Sequence, residues 1–314
     1  WIASEDPTVN EKDDDDFSIH PRLTRLGFDF DGGEAAGGKL TGKLELDFQN
    51  GPSSESRQMV RIRHAWLKET WGETSLLAGQ TWDVIAPLIP TANNDTLMWN
   101  TGNLGDRRPQ VRVSRTLSLG GGTVAFDGAL AQTGAVSGDD RDAPAGIIDG
   151  EDSGVPMLQG RVGFSRELWV KGKQASLGLW GHRSWEETDG KFDGEDDFDG
   201  SSTGVDLSLP LHELVLLKGE GWSGKNLSDV RGGIGQGINT TTGREISSRG
   251  GWLELAAKVC SGYTLAVGSA MDNPDDGDLA ASGRTKNRAW YLANRLEFDK
   301  KLQVGFDYLR WKTD

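Results

Sequence analysis

The stretch Leu40-Thr41-Gly42-Lys43-Leu44-Glu45-Leu46-Asp47-Phe48-Gln49 decides how the chain is read. Leu40, Gly42, Leu44, Leu46 and Phe48 share one parity, and Thr41, Lys43, Glu45, Asp47 and Gln49 share the other. Successive side chains of an extended strand point to opposite faces, so one face is greasy and the other hydrated and charged. A strand between lipid and a water-filled lumen has this pattern.

Similar segments recur along the chain: Arg22 to Phe30, Arg57 to Glu69, Ser75 to Trp82, Pro109 to Leu117, Thr123 to Thr133, Met157 to Ser165 and Gln174 to Trp185. They continue with Thr203 to Leu209, Glu213 to Ser223, Ser247 to Val259, Tyr263 to Met271, Lys286 to Phe298 and Leu302 to Thr313, for fourteen candidate strands in all. Short links such as Leu119 to Gly122, Pro210 to His212, Cys260 to Gly262 and Asp299 to Lys301 alternate with long ones. The long ones include Asp83 to Arg108, Gly134 to Pro156, Glu186 to Ser202, Gly224 to Ile246 and Asp272 to Thr285. The early links, Asp31 to Gly38 and Asn50 to Ser56, are of similar length and do not discriminate. Outer-membrane barrels have short periplasmic turns and long external loops. The expectation is an all-β, transmembrane antiparallel β-barrel forming one domain over residues 1–314, in the bacterial outer membrane. On this alternation the first strand begins outside the cell, whereas such barrels begin and end in the periplasm with an even strand number. One more strand at each end, with Trp1, Ile2 and Ala3 as a stub of the first, makes about sixteen, a porin number. The chain is therefore expected to be trimmed at both ends.

Composition excludes the main alternatives. With 44 glycines and no run of about 18 apolar residues, a helical membrane protein does not fit. No linker divides the 314 residues into soluble domains. Cys260 is the only cysteine, which excludes an internal disulfide and leaves an ordinary free thiol.

Charge is unevenly distributed. Ser4 to Asp16, Ser137 to Val155, Glu186 to Asp199 and Asp272 to Ala280 hold 25 of the 48 acidic residues but only Lys12, Arg141 and Lys191 of the basic ones. A formal charge of -14 thus hides an acidic rim around a basic body. Arg25, Lys43, Arg61, Arg63, Arg112, Arg161, Lys218, Lys258 and Arg295 fall on the polar parity of strands. Rings of Arg or Lys in a pore favour anions. The competing reading pairs these residues with lumen acids such as Asp29, Glu45, Asp47, Asp206, Glu220 and Glu254.

Arg61-Ile62-Arg63-His64-Ala65-Trp66, then Leu76-Leu77-Ala78-Gly79-Gln80-Thr81-Trp82 and Arg108-Pro109-Gln110-Val111-Arg112, resembles the DcaP-like trimeric outer-membrane porins. The resemblance extends to Leu217-Lys218-Gly219-Glu220-Gly221, Gly224-Lys225-Asn226-Leu227 and the glycine cluster Gly232 to Gly237. It implies a sixteen-stranded homotrimer that passes small anionic solutes, notably dicarboxylates, by diffusion.

The loop Asp83 to Arg108 is the candidate constriction. Its Val84 to Pro90 and Leu97 to Trp99 are too apolar to extend into water, and Pro87, Pro90 and Trp99 would shape it. Folding into the barrel mouth and packing at a subunit interface both satisfy that constraint. Arg61, Arg63 and Arg112 are the first candidates for solute contact, because a guanidinium fork matches a carboxylate. Either fate of the loop would place Arg107, Arg108 and Arg112 near the eyelet or its wall, which makes Arg108 a further pore-lining candidate, and Arg161 and Arg25 come next. Trp66, Trp185, Trp290, Tyr308 and Trp311 suit interface girdles, while Trp82, Trp180, Trp222 and Trp252 share parity with polar residues and would line the lumen. His64 shares parity with Ile62 and Trp66, which suggests a subunit contact.

No catalytic constellation is readable. His20, His64, His182 and His212 show no metal-ligand spacing, and no nucleophile elbow occurs. Gly232 to Gly237 lacks the residues of a phosphate-binding loop and is expected to be a loop tip. The acidic surface disfavours nucleic acid. No cofactor is expected, although Asp13 to Asp16 and Asp193 to Asp197 are acidic enough to hold Ca²⁺ or to bridge to lipopolysaccharide phosphates. The expected partners are membrane lipid and lipopolysaccharide, small anionic solutes and two further copies of the chain. A structural or adhesive barrel with acidic loops that bind the envelope is the alternative to a porin.

Overall fold

The computed structural model describes residues 19–50, 59–92, 97–134, 149–299 and 301–314. Trp1 to Ala3, the acidic stretch Ser4 to Asp16 and most of the acidic stretch beginning at Ser137 lie outside them. The strands are β1 (Leu26–Ala35), β2 (Gly38–Asn50), β3 (Met59–Trp71), β4 (Thr74–Trp82), β5 (Arg107–Leu119), β6 (Gly122–Ala131), β7 (Met157–Glu167) and β8 (Gln174–Phe192). They continue as β9 (Glu195–His212), β10 (Val215–Lys225), the two-residue pieces β11 (Ile238–Asn239) and β12 (Arg244–Glu245), then β13 (Ser247–Cys260), β14 (Tyr263–Pro274), β15 (Asn287–Phe298) and β16 (Leu302–Thr313).

All except β11 and β12 form one fourteen-stranded sheet in which each strand pairs with its neighbours in sequence, antiparallel throughout. Each of the fourteen segments expected from alternation is a strand. Among the described residues β1 and β16 pair on one side only.

The links sort by end of the sheet. Ala36-Gly37, Gly72-Glu73, Gly120-Gly121, Glu213-Leu214 and Ser261-Gly262 are two-residue turns at one end. Gly120 and Gly121 both have positive φ, 57° and 80°, the condition for a type I′ hairpin whose twist fits the flanking strands. The β1–β2 link, which length did not discriminate, belongs to this set, because its turn is only Ala36-Gly37. At the other end lie the long connections. One expected loop is different: Glu186 to Ser202 is mostly strand, since β8 and β9 continue as a hairpin that turns at Asp193-Gly194. Alternating side chains such as Glu186, Thr188 and Phe198 are buried there, and extended pairing satisfies the backbone.

The outward parity carries exposed apolar side chains: Phe28, Leu67, Val162, Leu179, Leu253 and Phe306 are between 47% and 74% exposed. An apolar belt of this extent around a sheet with a polar inner face is stable only against lipid. No helix of the described residues is long and apolar enough to cross a membrane. Trp290 and Tyr308 stand together on this outer face, ring centroids 5.1 Å apart, as girdle residues do.

Three expected outward residues face inward. Trp311 pairs with Ala289 and packs against the buried cluster that contains Tyr291, Ala293 and Met98. Trp66 pairs with the inward Lys43. His64 is buried and hydrogen-bonded to Thr81 Oγ1 at 3.1 Å. A register irregularity lies behind the last case: Glu45 faces His64 but Leu46 faces Ile62, so Arg63 is the extra residue of a bulge. The bulge shifts the parity of everything C-terminal to it, which places both Arg63 and His64 inside.

Candidate functional site

The segment between β4 and β5, residues 83–106, is held against inward side chains of distant strands. Val84 N–H donates to Gln159 Oε1 of β7 at 2.7 Å, and Leu88 N–H to Glu220 Oε1 of β10 at 2.8 Å. Thr91 donates both its N–H and its hydroxyl to Glu254 of β13, at 2.7 and 2.5 Å, and Arg295 of β15 bonds to the Thr91 carbonyl. Further along, Gly102 O accepts from Trp222 Nε1 at 2.7 Å, and Asn100 O accepts from Asn287 Nδ2 at 2.7 Å. At Gly102, where φ is 118°, an added Cβ would lie 2.2 Å from the Gly251 carbonyl oxygen, so only glycine permits this approach to the wall.

Apolar packing explains why the loop lies there. Ile85 and Leu104 join Met157, Trp180, Trp222 and Val230 in one buried cluster. Ala92 and Met98 join Trp252, Tyr291 and four inward alanines of β14 and β15 in another. Of the residues expected to shape the loop, Pro90 and Trp99 are buried and Pro87 is exposed. Trp180, Trp222 and Trp252 face inward, but the loop and its surroundings cover them.

Both roots of the loop are fixed by charge. Arg108 is 0% exposed; its Nε donates to Asp83 at 2.8 Å and its Nη1 to Asp229 at 2.6 Å, with the Gln132 and Asp229 carbonyls taking further N–H groups. Arg108, expected as a pore-lining contact, is therefore corrected to an internal anchor, since no part of it reaches solvent. Asp229 belongs to the segment Gly224 to Ile246, whose glycine cluster was expected at a loop tip. That is a second correction: Ser228, Asp229, Val230, Gly233 and Ile234 are buried, and Val230 and Arg231 carbonyls accept from Gly105 and Asn100 N–H.

The inner face of β1 to β5 carries the other candidates. Arg61 forks onto Asp47 at 2.9 and 2.7 Å and remains 25% exposed. Arg63 bridges Glu45 at 2.7 Å and Asp47 at 3.1 Å. Lys43 contacts Asp29 at 3.1 Å, and Arg25 lies within electrostatic reach of Glu45 and Asp47. Four cations thus share three carboxylates. Arg112 bonds to Gln110 Oε1 at 3.0 and 2.8 Å and to the Trp82 carbonyl, with no carboxylate within ion-pair distance among the described residues. Arg161 stands elsewhere, on β7, forked onto Asp206 at 2.8 and 2.7 Å.

Between the loop root and this wall lies a group that alternation did not single out. Arg107 stacks 4.5 Å over the Trp82 ring, Arg231 4.7 Å over Trp99, and the two indoles are 6.4 Å apart. Asp106 serves both arginines, at 3.1 Å from Arg107 and 2.7 Å from Arg231. Two cations share one carboxylate there, which adds to the excess on β1 to β3. Burial pushes the Asp106 carboxyl up, but Arg231 and Arg107 outweigh it and hold it below the ordinary carboxylate value. Trp82 was expected to line the lumen, Trp99 to shape the loop and Arg107 to lie near the eyelet; Asp106 had no signal, nor did Arg231, which sits in a glycine-rich link. Among the described residues no three acidic, His or Cys side chains assemble as metal ligands, and Asp13 to Asp16 lie outside them.

No family model matches the chain, and no curated protein sequence does. Solved structures do. The outer membrane channel DcaP of Acinetobacter baumannii matches with a TM-score of 0.78 and 18% identity, over 97% of this chain and 83% of that one. The anion-selective porin of Comamonas acidovorans matches at 0.56 and 15%, over 92% and 79%. OmpT of Vibrio cholerae in its trimer form matches at 0.55 and 13%, over 92% and 80%. Likeness at these identities concerns the fold, and the fold is that of the outer-membrane porins. With its lipid-facing belt, the chain is an outer-membrane β-barrel.

Proposed function

We propose that the chain is a passive diffusion channel, without catalytic activity, that prefers small anions such as dicarboxylates and works as a homotrimer. The observation that carries this reading is the cationic excess on one inner wall: Arg25, Lys43, Arg61 and Arg63 against Asp29, Glu45 and Asp47, extended by Arg107 and Arg231 against Asp106. Residues 83–106 act as the constriction. Their hydrogen bonds run to β7, β10, β13 and β15, which leaves the basic wall of β1 to β5 as the opposite side of the passage. Pro87 and Ile89, exposed while Ala86 and Pro90 are buried and Leu88 is half-buried, form the apolar lip that faces it. A dicarboxylate would slide between the two, its carboxylates exchanging among guanidinium groups whose acid partners weaken but do not cancel their field. Comparison with a porin described as anion-selective and with a barrel solved as a trimer supports the selectivity and the assembly.

Proteoliposome swelling tests this. A four-carbon dicarboxylate should enter faster than a diamine of the same length. Equal rates, or a faster diamine, would reject the anion preference.

A further inference from the structure

The outer wall of the barrel has a dent. On the outward parity of β10 and β13, Gly221 pairs directly with Gly251, and Gly219 lies two residues along, so the belt there loses its side chains. Val205, Leu207, Leu253 and Met271, on the flanking positions of β9, β13 and β14, form the sides. The groove is shallow and open along its length, with a volume of about 520 Å³. A Cβ on Gly219 or Gly251 would lie 2.4 Å from the Trp252 or Glu220 carbonyl oxygen, so close strand packing accounts for those two glycines, whereas a Cβ on Gly221 meets nothing within 4 Å and packing does not account for it.

Directly above the groove, towards the long-loop end, the same outward parity changes chemistry. Ser223, Arg249 and Asn273 are paired across β10, β13 and β14 and, with Ser247 and Asp275, line a polar cleft of about 190 Å³. Arg249 is exposed and has no ion-pair partner within 4.0 Å among the described residues. The Asp275 carboxylate accepts the Gly277 N–H at 2.9 Å. Along the sheet, Arg288 of β15 is in register with Met271 and is itself paired with Asp314 at 2.7 Å, and Arg310 of β16 lies exposed in register with Trp290, so Arg249 is the cation of the cleft.

We propose that this face is a specific site for an acylated, phosphorylated lipid of the outer leaflet, one acyl chain lying on the glycine floor and the anionic headgroup meeting Arg249. The proposal rests on the membrane-spanning fold and is independent of what the lumen conducts. Apolar groove and cationic rim are stacked in the order in which such a lipid presents tail and phosphate. Arg249, without an acidic partner of its own among the described residues, needs an anion to meet it, and a lipid phosphate supplies one.

Native mass spectrometry of the detergent-purified barrel, titrated with bis-phosphorylated lipid A and with its dephosphorylated form, tests the site. Wild type should bind lipid A saturably, and Gly221→Trp and Arg249→Glu should each weaken it about tenfold or more. Dephosphorylated lipid A should bind wild type no better than lipid A binds Arg249→Glu. Heat-modifiable migration and single-channel conductance report that each variant is folded, with Gly221→Leu as the smaller filler if Gly221→Trp does not assemble. Wild-type binding in both variants would overturn the proposal. So would a groove-filled variant that loses its oligomeric state while retaining lipid A, because the groove would then be a protomer contact. Selective lipid binding by a barrel that conducts nothing would sink the channel reading and leave this one standing.

Discussion

Arg61 and Arg108 show two fates of one side chain type. Arg108 is wholly buried between Asp83 and Asp229, so its charge is used up in holding the start of the inner loop and the Ser228–Val230 segment to β5. Arg61 keeps a quarter of its surface and shares Asp47 with Arg63, so its field reaches the lumen. Arg108→Ala would strand two buried carboxylates and should cost about 3–5 kcal/mol, measured as a loss in urea-refolding stability. A loss below about 1 kcal/mol, the range of exposed pairs, would refute the anchor. Arg61→Gln, which leaves Arg63 paired with Asp47, should instead keep the barrel folded and shift its reversal potential toward cations. An unchanged potential would mean that this wall does not face the permeating ion. Arg61 was readable as inward from strand parity and Arg108 as the end of the constriction loop, but the difference in their fates was not. It arises from Asp229, 121 positions away in sequence, which nothing local associates with Arg108.

At the scale of the element, the inner loop is a strap fastened at several points, of which Glu254 is the densest: it takes Thr91 N–H, Thr91 hydroxyl, Tyr291 hydroxyl and Lys218. Glu254→Leu should release the middle of the strap and appear as larger and noisier single-channel current. A trace indistinguishable from wild type would deny the strap a role in the pore. The root is pH-sensitive in a defined direction. Asp106 has a folded value below its ordinary 3.8, so its contribution is complete above about that pH and is lost as pH falls through the folded value. Acid-induced current fluctuation should therefore begin only below about pH 4, and Asp106→Asn should show the fluctuation already at neutral pH. Onset near pH 6 would assign it to another group. The apolar composition of Val84 to Pro90 made burial of this segment legible. Its partners were not, because strands far apart in sequence become neighbours only through barrel curvature. The β3 bulge was equally hidden, since one extra residue reverses the parity on which the reading of His64 depended.

The whole molecule is a sheet with chemically distinct faces and ends, and that much lay in the alternation itself. All fourteen segments became strands because the period of two repeats in each of them, whereas the long-loop end was misjudged wherever backbone pairing continued beyond the membrane, as in β8 and β9. The ends give a topological test. Cys260, the sole cysteine, is exposed where β13 meets the two-residue turn Ser261-Gly262. If short turns face the periplasm, a membrane-impermeant maleimide should leave it unlabelled on intact cells and label it once the outer membrane is breached. Labelling of intact cells would invert the barrel. Whether the cationic excess sets the traffic through the lumen is read from the zero-current potential of the purified protein in a planar bilayer under a KCl gradient. The expected potential has the sign set by chloride moving faster than potassium, and it diminishes as salt is raised and screens the wall. A potential of the opposite sign, or no conductance, would contradict it.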